Sequence, residues 1–503
     1  MTSTADPTAA AEAAEAATVD ATADATAADA ASVDVATTTV DAPDADALPL
    51  AGAPSSGSRP VPPLGKARPP KLPTVGERTL DNGLRVLAVR RPGVPLTELR
   101  LRIPFAAPSR KGVARGGEQH VARAQLLGDT LLSGTDRRTA AQVAADVQAL
   151  GGQLSASTDA DRLSMGGSVL SSGLPALLEL MAEVLTAASF PKQEVVGERD
   201  RLVQELAIYR TQPSVAAREA LVRRLYGEHP YGRELPSAQA VQEVTPAHLR
   251  RLHADRVAPG GSVLVVVGDQ TPARMLSLVE SAMVGWSATS AAVDTPPVPA
   301  VVPGPALLVD RPGSVQTTLR FGGPAPRRTD EGYAAFSLAN LVFGGYFSSR
   351  WVANIREDKG YTYSPHSGVE HPPAGSRVVV AADVATEVTG PAVLETWYEL
   401  GRIATVPVSQ TELDQARRYA IGSLALSTSS QGGLASTLSV LTAAGLGGEH
   451  LRDHPKALAG VTVEQVQDAA ARYLAPARLT GVLLGDAAAV AASVGAVLDL
   501  EQA

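Results

Sequence analysis

"RPGVPLTELR", residues 91–100, returns 220 positions later as "RPGSVQTTLR", residues 311–320, with six of ten residues identical. "VTPAHLRRLHADRVAPGGSVLVVVGD" at 244–269 returns 217 positions later as "VTVEQVQDAAARYLAPARLTGVLLGD" at 461–486, 26 residues aligned without a gap. Two matches in one order at nearly one spacing indicate an internal duplication. The body therefore reads as two copies, residues 75–286 and 306–503, of one unit of about 210 residues, a common single-domain size. In the first copy "LRVLAVRR" and "TELRLRIPF" read as strands joined by a "PGVP" turn, and "GQLSASTD" and "RLSMGGSVL" alternate like paired strands. "SVLVVVGD" reads as a buried strand, and "LPALLELMAEVLTAA" and "KQEVVGERDRLVQELAIYRTQ" as amphipathic helices. The pattern predicts an α+β class: two homologous α/β halves, each a mixed, largely antiparallel sheet with helices packed on one face.

Residues 287–305, "SATSAAVDTPPVPAVVPGP", form a Pro/Ala linker between the copies. Residues 1–74 are rich in Ala, Thr, Asp and Pro and are expected to be a disordered tail and extended linker, since they hold no stripe of large apolar residues to bury. The net charge of −8 is concentrated there: residues 1–58 carry ten acids and no Lys or Arg, which leaves the remainder near neutral. Composition therefore points to neither nucleic acid nor a membrane as a partner. The absence of cysteine excludes disulfides, thiolate metal sites and a cysteine nucleophile. No basic-then-apolar leader and no run of about 18 apolar residues is seen, so a cytoplasmic location is expected.

"VARAQLLGDTLLSGT", residues 121–135, reads as an amphipathic helix ending in a Ser-Gly-Thr turn, with Gln125 and Asp129 one turn apart on one face. That spacing suits a pair of metal-binding side chains, but neither residue is a histidine. His120 lies five residues before Gln125, off that face. The pair His450 and His454 in "GGEHLRDHP" has the spacing without a serving glutamate, and reads as a loop with a short helical turn. No nucleophile elbow, Walker loop or dinucleotide fingerprint appears.

Over residues 75–500 the sequence resembles the insulinase/pitrilysin family of zinc peptidases, which includes the mitochondrial processing peptidase. The resemblance rests on "LDNGLRV" at 80–86, "LLSGT" at 131–135, "ALGGQLSAST" at 149–158, "ERDRLVQEL" at 198–206 and "GGYFSSRWVANIREDKGYTYS" at 344–364. Active members carry His-x-x-Glu-His on the first helix, with two zinc-binding imidazoles, a glutamate that activates water, and a further glutamate ligand on a later helix. Anchored on the "SGT" turn, the resemblance places that motif on Gln125 to Asp129. The first histidine becomes Gln125, the general base Gly128 and the second histidine Asp129, while the later ligand falls on Glu205, with Glu198 one heptad earlier. An amide is a poor zinc ligand beside neutral imidazole, and glycine accepts no proton. No catalytic residue and no metal is therefore expected on this chain.

The resemblance also implies what is kept. Arg356 and Tyr363 match an Arg/Tyr pair that faces the zinc across a chamber and holds the substrate backbone; both can donate hydrogen bonds to a peptide carbonyl and its oxyanion. Taken alone, Arg356 would pair with an acid such as Asp358, and Tyr363 would pack on a sheet. Gly344 and Gly345, in "FGGYFSSR", match a turn beside the substrate path, or else open a helix capped by Ser348 or Ser349. "HPYGRELP" at 229–236 is expected to serve the fold. The leading expectation is a non-catalytic, substrate-binding subunit of a heterodimeric zinc peptidase, with zinc supplied by a partner that bears His-x-x-Glu-His, and a peptide as substrate. Two other readings stand beside it: a metallopeptidase with an unusual site of Asp129, Glu198 and Glu205, or a structural homologue without a peptidase role.

Overall fold

The computed structural model describes residues 74–106, 109–110, 113–114, 117–287 and 295–502; the expected tail up to residue 73 and positions 288–294 of the expected linker lie outside these. The first half has strands β1 (Thr74–Thr79), β2 (Arg85–Arg90) and β3 (Leu96–Pro104), a short ribbon of β4 (Ser109–Arg110) and β5 (Val113–Ala114), then β6 (Gln153–Thr158), β7 (Arg162–Leu170) and β8 (Val263–Gly268). Its six-stranded sheet runs β1-β2-β8-β3-β7-β6, all antiparallel except the parallel pair β2/β8. The "PGVP" turn does not make β2 and β3 neighbours: β8, the most apolar strand, lies between them. The second half has β9 (Ala306–Asp310), β10 (Gln316–Ala325), β11 (His366–Glu370), β12 (Ser376–Ala385), β13 (Thr480–Gly485) and β14 (Leu500–Gln502), ordered β11-β12-β10-β13-β9-β14.

The duplication is visible residue by residue. Helix Pro246–Arg256 is capped by Thr245, and helix Val463–Tyr473 by Thr462; each leads into the corresponding strand, β8 or β13. The glycines of "VVVGD" and "VLLGD" have one shared cause. A Cβ on Gly268 would lie 2.6 Å from Thr97 Oγ1, and one on Gly485 would lie 2.6 Å from Thr317 Oγ1, both threonines being buried in the neighbouring strand. The edge strands break the symmetry: β1 precedes the first sheet and runs antiparallel to β2, whereas β14 comes from the end of the second copy and runs parallel to β9.

Each sheet carries its own helices on one face over a separate apolar core. The other face is not left to solvent, and here the one-face expectation is incomplete. Helix Pro213–Tyr226 of the first half lies on β10 and β13 of the second, with Leu221, Val222 and Leu225 against Val482 and Leu484. Helix Gln431–Ala443 of the second half lies on β3 and β8 of the first, with Leu434, Ala435 and Leu438 against Leu87, Val89, Val265 and Val267. The halves thus exchange equivalent helices, and strands buried on both faces read as continuous apolar runs.

A polar knot ties the same seam. Arg377, 4 % exposed, bonds Glu370 through Nε at 2.6 Å and Glu234 through Nη2 at 2.8 Å. Arg218 grips the same two carboxylates at 2.6 Å and 2.7 Å. The "HPYG" segment joins it. The Tyr231 hydroxyl donates to Asp161 at 2.8 Å and accepts from the Ala374 N–H at 3.0 Å, while His229 Nε2 meets the Pro296 carbonyl at 2.8 Å. Among the described residues no helix is long and apolar enough to cross a membrane.

Candidate functional site

The helix over the first cluster is Gly117–Thr130, and its inward face is apolar: Ala122, Ala124, Leu126 and Leu127 are buried. Gly128 is buried with them and lies against the end of edge strand β6. A Cβ there would sit 3.2 Å from Thr158 Cγ2 and 3.4 Å from the Ser157 carbonyl carbon, so the helix packs on β6 with little room for a side chain. Gln125 is half-buried, and Asp129 is open to solvent one turn on. His120 lies off this face. One of its ring nitrogens meets the Phe105 carbonyl at 3.0 Å, and burial lowers its pKa to about 4.

Glu198 and Glu205 lie on helix Lys192–Tyr209. The side chain between them in space is Arg201, at i+3 from one and i−4 from the other. Its guanidinium is hydrogen-bonded to both carboxylates, with Nε to the Glu198 oxygens at 3.0 Å and 3.1 Å. These acids raise the Arg201 pKa, and Asp129 adds to the effect. Although part of Asp129 meets solvent, the protein packed around it pushes its pKa up to about 7, with the Glu198 carboxylate next in weight; Arg201 pulls the other way. Arg201 thus bridges Glu198 and Glu205, and Asp129 lies near enough for its charge to be felt by Arg201. Among the described residues, no three His, Cys, Asp or Glu side chains form a group that could hold a metal ion. Arg201 has no part in the sequence reading, although its helical spacing is a sufficient signal.

The second cluster lies wholly in the second half. Helix Tyr333–Asn340 runs into a π-helical turn, Leu341–Gly345, and helix Arg350–Val352 runs into another, Ala353–Asp358. Two such turns so close together are unusual, and π turns concentrate at functional sites. Gly344 and Gly345 lie in the first. A Cβ on Gly344 would come 3.0 Å from both Ser367 Cβ and Trp351 Cε3, and one on Gly345 would come 3.2 Å from the Asn340 carbonyl. Their immediate task is close packing, which also lets Asn340 bond the Ser367 carbonyl at 3.1 Å. Ser349 occupies the expected N-cap position, but without a side-chain capping bond.

The second π turn carries Arg356. The chain reverses at Gly360 (φ +65), where the Tyr361 N–H bonds the Ile355 carbonyl at 2.9 Å, a Schellman-type closure. This reversal folds Tyr363 back over Arg356. The guanidinium lies 4.8 Å from the Tyr363 ring centroid and 4.6 Å from that of Phe347. Its ion pair is with Glu357, at 3.2 Å from Nε, rather than with Asp358. Tyr363 is 77 % exposed and Phe347 58 % exposed, just before edge strand β11, so the phenol does not pack on the sheet. Phe347 was not foreseen, because only the reversal makes it a neighbour. The arrangement presents a stacked guanidinium and an exposed phenol to solvent, two donors of the kind that bind a peptide carbonyl.

In "GGEHLRDHP" a turn over Gly448 and Glu449 leads into a full helix, His450–Gly460, longer than the single turn expected; Leu458 anchors it in the second core despite Pro455 within it. The His450 and His454 rings stack at 4.9 Å.

Comparison with known proteins agrees with this architecture. The model of the insulinase (peptidase family M16) domain matches residues 123–239, and that of the peptidase M16 inactive domain matches residues 243–419, together more than half of the chain. An uncharacterized zinc protease of Mycobacterium tuberculosis is 27 % identical over 416 residues, covering 81 % of this chain and 92 % of the relative. Another, of Mycobacterium leprae, is 28 % identical over 296 residues, and there the match spans 65 % of the relative's length. Among solved structures, a peptidase M16 inactive domain from Pseudomonas fluorescens gives a TM-score of 0.74 at 24 % identity, over 82 % of this chain and 98 % of that one. A protease from Helicobacter pylori gives 0.74 at 18 % identity, over 82 % and 100 %. At these identities the likeness is one of fold.

Proposed function

The chain belongs to the insulinase family of peptidases, family M16, and from that premise we propose that it is the non-catalytic, substrate-binding subunit of a two-chain zinc peptidase of the cytoplasm. The partner would be a family member bearing His-x-x-Glu-His and its zinc, and the substrate a peptide. The observation that carries this reading is Arg201. An arginine bonded to both Glu198 and Glu205 places a guanidinium against the two carboxylates that a dication would need. Gln125 is a weak zinc donor, and Gly128 supplies no base and lies close against Thr158. The same facts weigh against a metallopeptidase built on Asp129, Glu198 and Glu205. An exposed Tyr363 stacked on a half-buried Arg356 supports a role toward substrate over a purely structural one.

In a partner's active site Arg356 would bind the substrate carbonyl and Tyr363 would donate to the developing oxyanion, a form of stabilisation typically worth about 10²–10³ in rate per donor. The test is reconstitution. The pure chain is expected to contain no stoichiometric zinc and to cleave no peptide, and to form a complex with a zinc-motif family member that does cleave. Arg356→Ala and Tyr363→Phe should then lower kcat with assembly intact. Unchanged turnover in both variants refutes the assignment, as does peptidase activity of the chain alone.

A further inference from the structure

Phe347 is largely exposed and belongs to neither half's apolar core, yet it lies on a guanidinium. The Arg356 carbon Cζ is over two rings, 4.6 Å from the Phe347 centroid and 4.8 Å from that of Tyr363, and its Nε faces Glu357 at 3.2 Å. Among the described residues neither Nη group of Arg356 makes a hydrogen bond to protein. The π turn beneath it is pinned as well. Asn354 Nδ2 donates to Glu395 at 2.9 Å and to Glu399 at 3.1 Å, both on helix Thr389–Thr405, and Lys359 meets Glu395 at 3.5 Å. Glu399 is buried, as is Ile355 in the second core, so the backbone at 354–359 has little freedom.

With the backbone fixed, what is left to place is the long side chain of Arg356. A planar guanidinium against an aromatic ring is restricted in its plane, and an acid at Nε restricts its rotation within that plane. A donor fork set in advance loses less freedom when it bonds a carbonyl, and a misplacement of about 1 Å at a reacting centre can cost 10²-fold. We propose that Phe347 is a positioning residue of the substrate site: with Tyr363 it sets the plane of the Arg356 guanidinium, which leaves the Nη edge for a peptide carbonyl. The inference rests on the substrate-binding reading of Arg356 and Tyr363. It also gives Tyr363 two separable tasks, its hydroxyl toward the substrate and its ring toward Arg356.

The test has two arms. In the full chain alone, arginine-selective ¹⁵N labelling reads the clamp without a partner, with the Arg356 Nε–H signal assigned by its loss in Arg356→Lys. Phe347→Leu and Tyr363→Leu should each remove part of its ring-current shift and speed rotation about Nε–Cζ, whereas Phe347→Tyr and Tyr363→Phe should leave both nearly unchanged. In the reconstituted complex, Phe347→Leu should lower kcat about 3–10-fold with little change in KM, the size expected for loss of one exposed cation–π contact that aims a donor, and Phe347→Tyr should restore it. In an Arg356→Ala background Phe347→Leu should cost nothing further, since it acts through Arg356. An unaltered Arg356 signal in Phe347→Leu overturns the proposal. So does a loss as large in the Arg356→Ala background as in the parent, which leaves the substrate role of Arg356 standing. Parent-level turnover of Arg356→Ala with the clamp seen intact refutes the substrate-binding reading itself, and the positioning role falls with it.

Discussion

Glu370 makes the seam between the halves measurable through pH. Burial opposes its ionisation, but Arg377 and Arg218 overcome that and hold the carboxyl at about 2, against an ordinary value of 4.5. A carboxyl held below its ordinary value contributes stability that is complete above about 4.5 and lost as pH falls toward 2. The gap of roughly 2.5 units at 1.36 kcal/mol each gives about 3 kcal/mol. Because Glu370 is only 27 % exposed, solvent screening removes little of this. Glu370→Gln keeps the shape and removes the charge, leaving Arg377 nearly buried with Glu234 alone. The variant is expected to be about 3 kcal/mol less stable than the parent at pH 7, the difference shrinking below about pH 4.5 toward nothing at pH 2. Urea melts at several pH values, followed through the buried Trp286 of the first core and Trp351 of the second, give both numbers. A difference that stays constant between pH 7 and pH 3 would refute the ionic account and leave only packing.

Asp129 has the opposite sign. A carboxyl raised to about 7 costs stability as pH rises from about 4 through 7, so Asp129→Asn should stabilise at pH 8 and be neutral at pH 4. Because the group is open to solvent, the gain should be about 1 kcal/mol or less, and a thermal melt that shows no pH dependence of the difference counts against it. Gly344→Ala, with its Cβ 3.0 Å from Trp351 and Ser367, should cost about 1–3 kcal/mol and perturb tryptophan fluorescence; a neutral result would mean that the glycine is not there for packing. Grafting Gln125→His, Gly128→Glu and Asp129→His should not by itself restore a zinc centre, since Arg201 still occupies Glu205 and the new glutamate presses on Thr158. One zinc per chain by metal analysis of that triple variant would show that the site was lost only in its ligands.

Much of the site was legible because its signals are local. Helical spacing alone puts Gln125 and Asp129 on one face, and Glu198, Arg201 and Glu205 within reach of one another. Arg356 and Tyr363 could be named, but not their relation. It takes a π turn and a positive-φ glycine to stack the ring on the guanidinium, and neither the extra residue per turn nor Phe347's place beside it follows from spacing. The seam network of Arg218, Glu234, Glu370 and Arg377 joins residues 143 or more positions apart across the two halves, beyond any local pattern.

The sequence by itself determined the duplication, the α+β class of each unit, the absence of histidine at positions 125 and 129, and the presence of Arg356 and Tyr363. These depend on residue type and short spacing, which the chain carries in any conformation. Only the tertiary structure decided that the halves exchange helices Pro213–Tyr226 and Gln431–Ala443 across each other's sheets, and that Arg201 bonds both Glu198 and Glu205. The physical reason is that an amphipathic helix encodes an apolar face but not its recipient. Which sheet it covers is settled by the competition among all apolar faces to leave water at once.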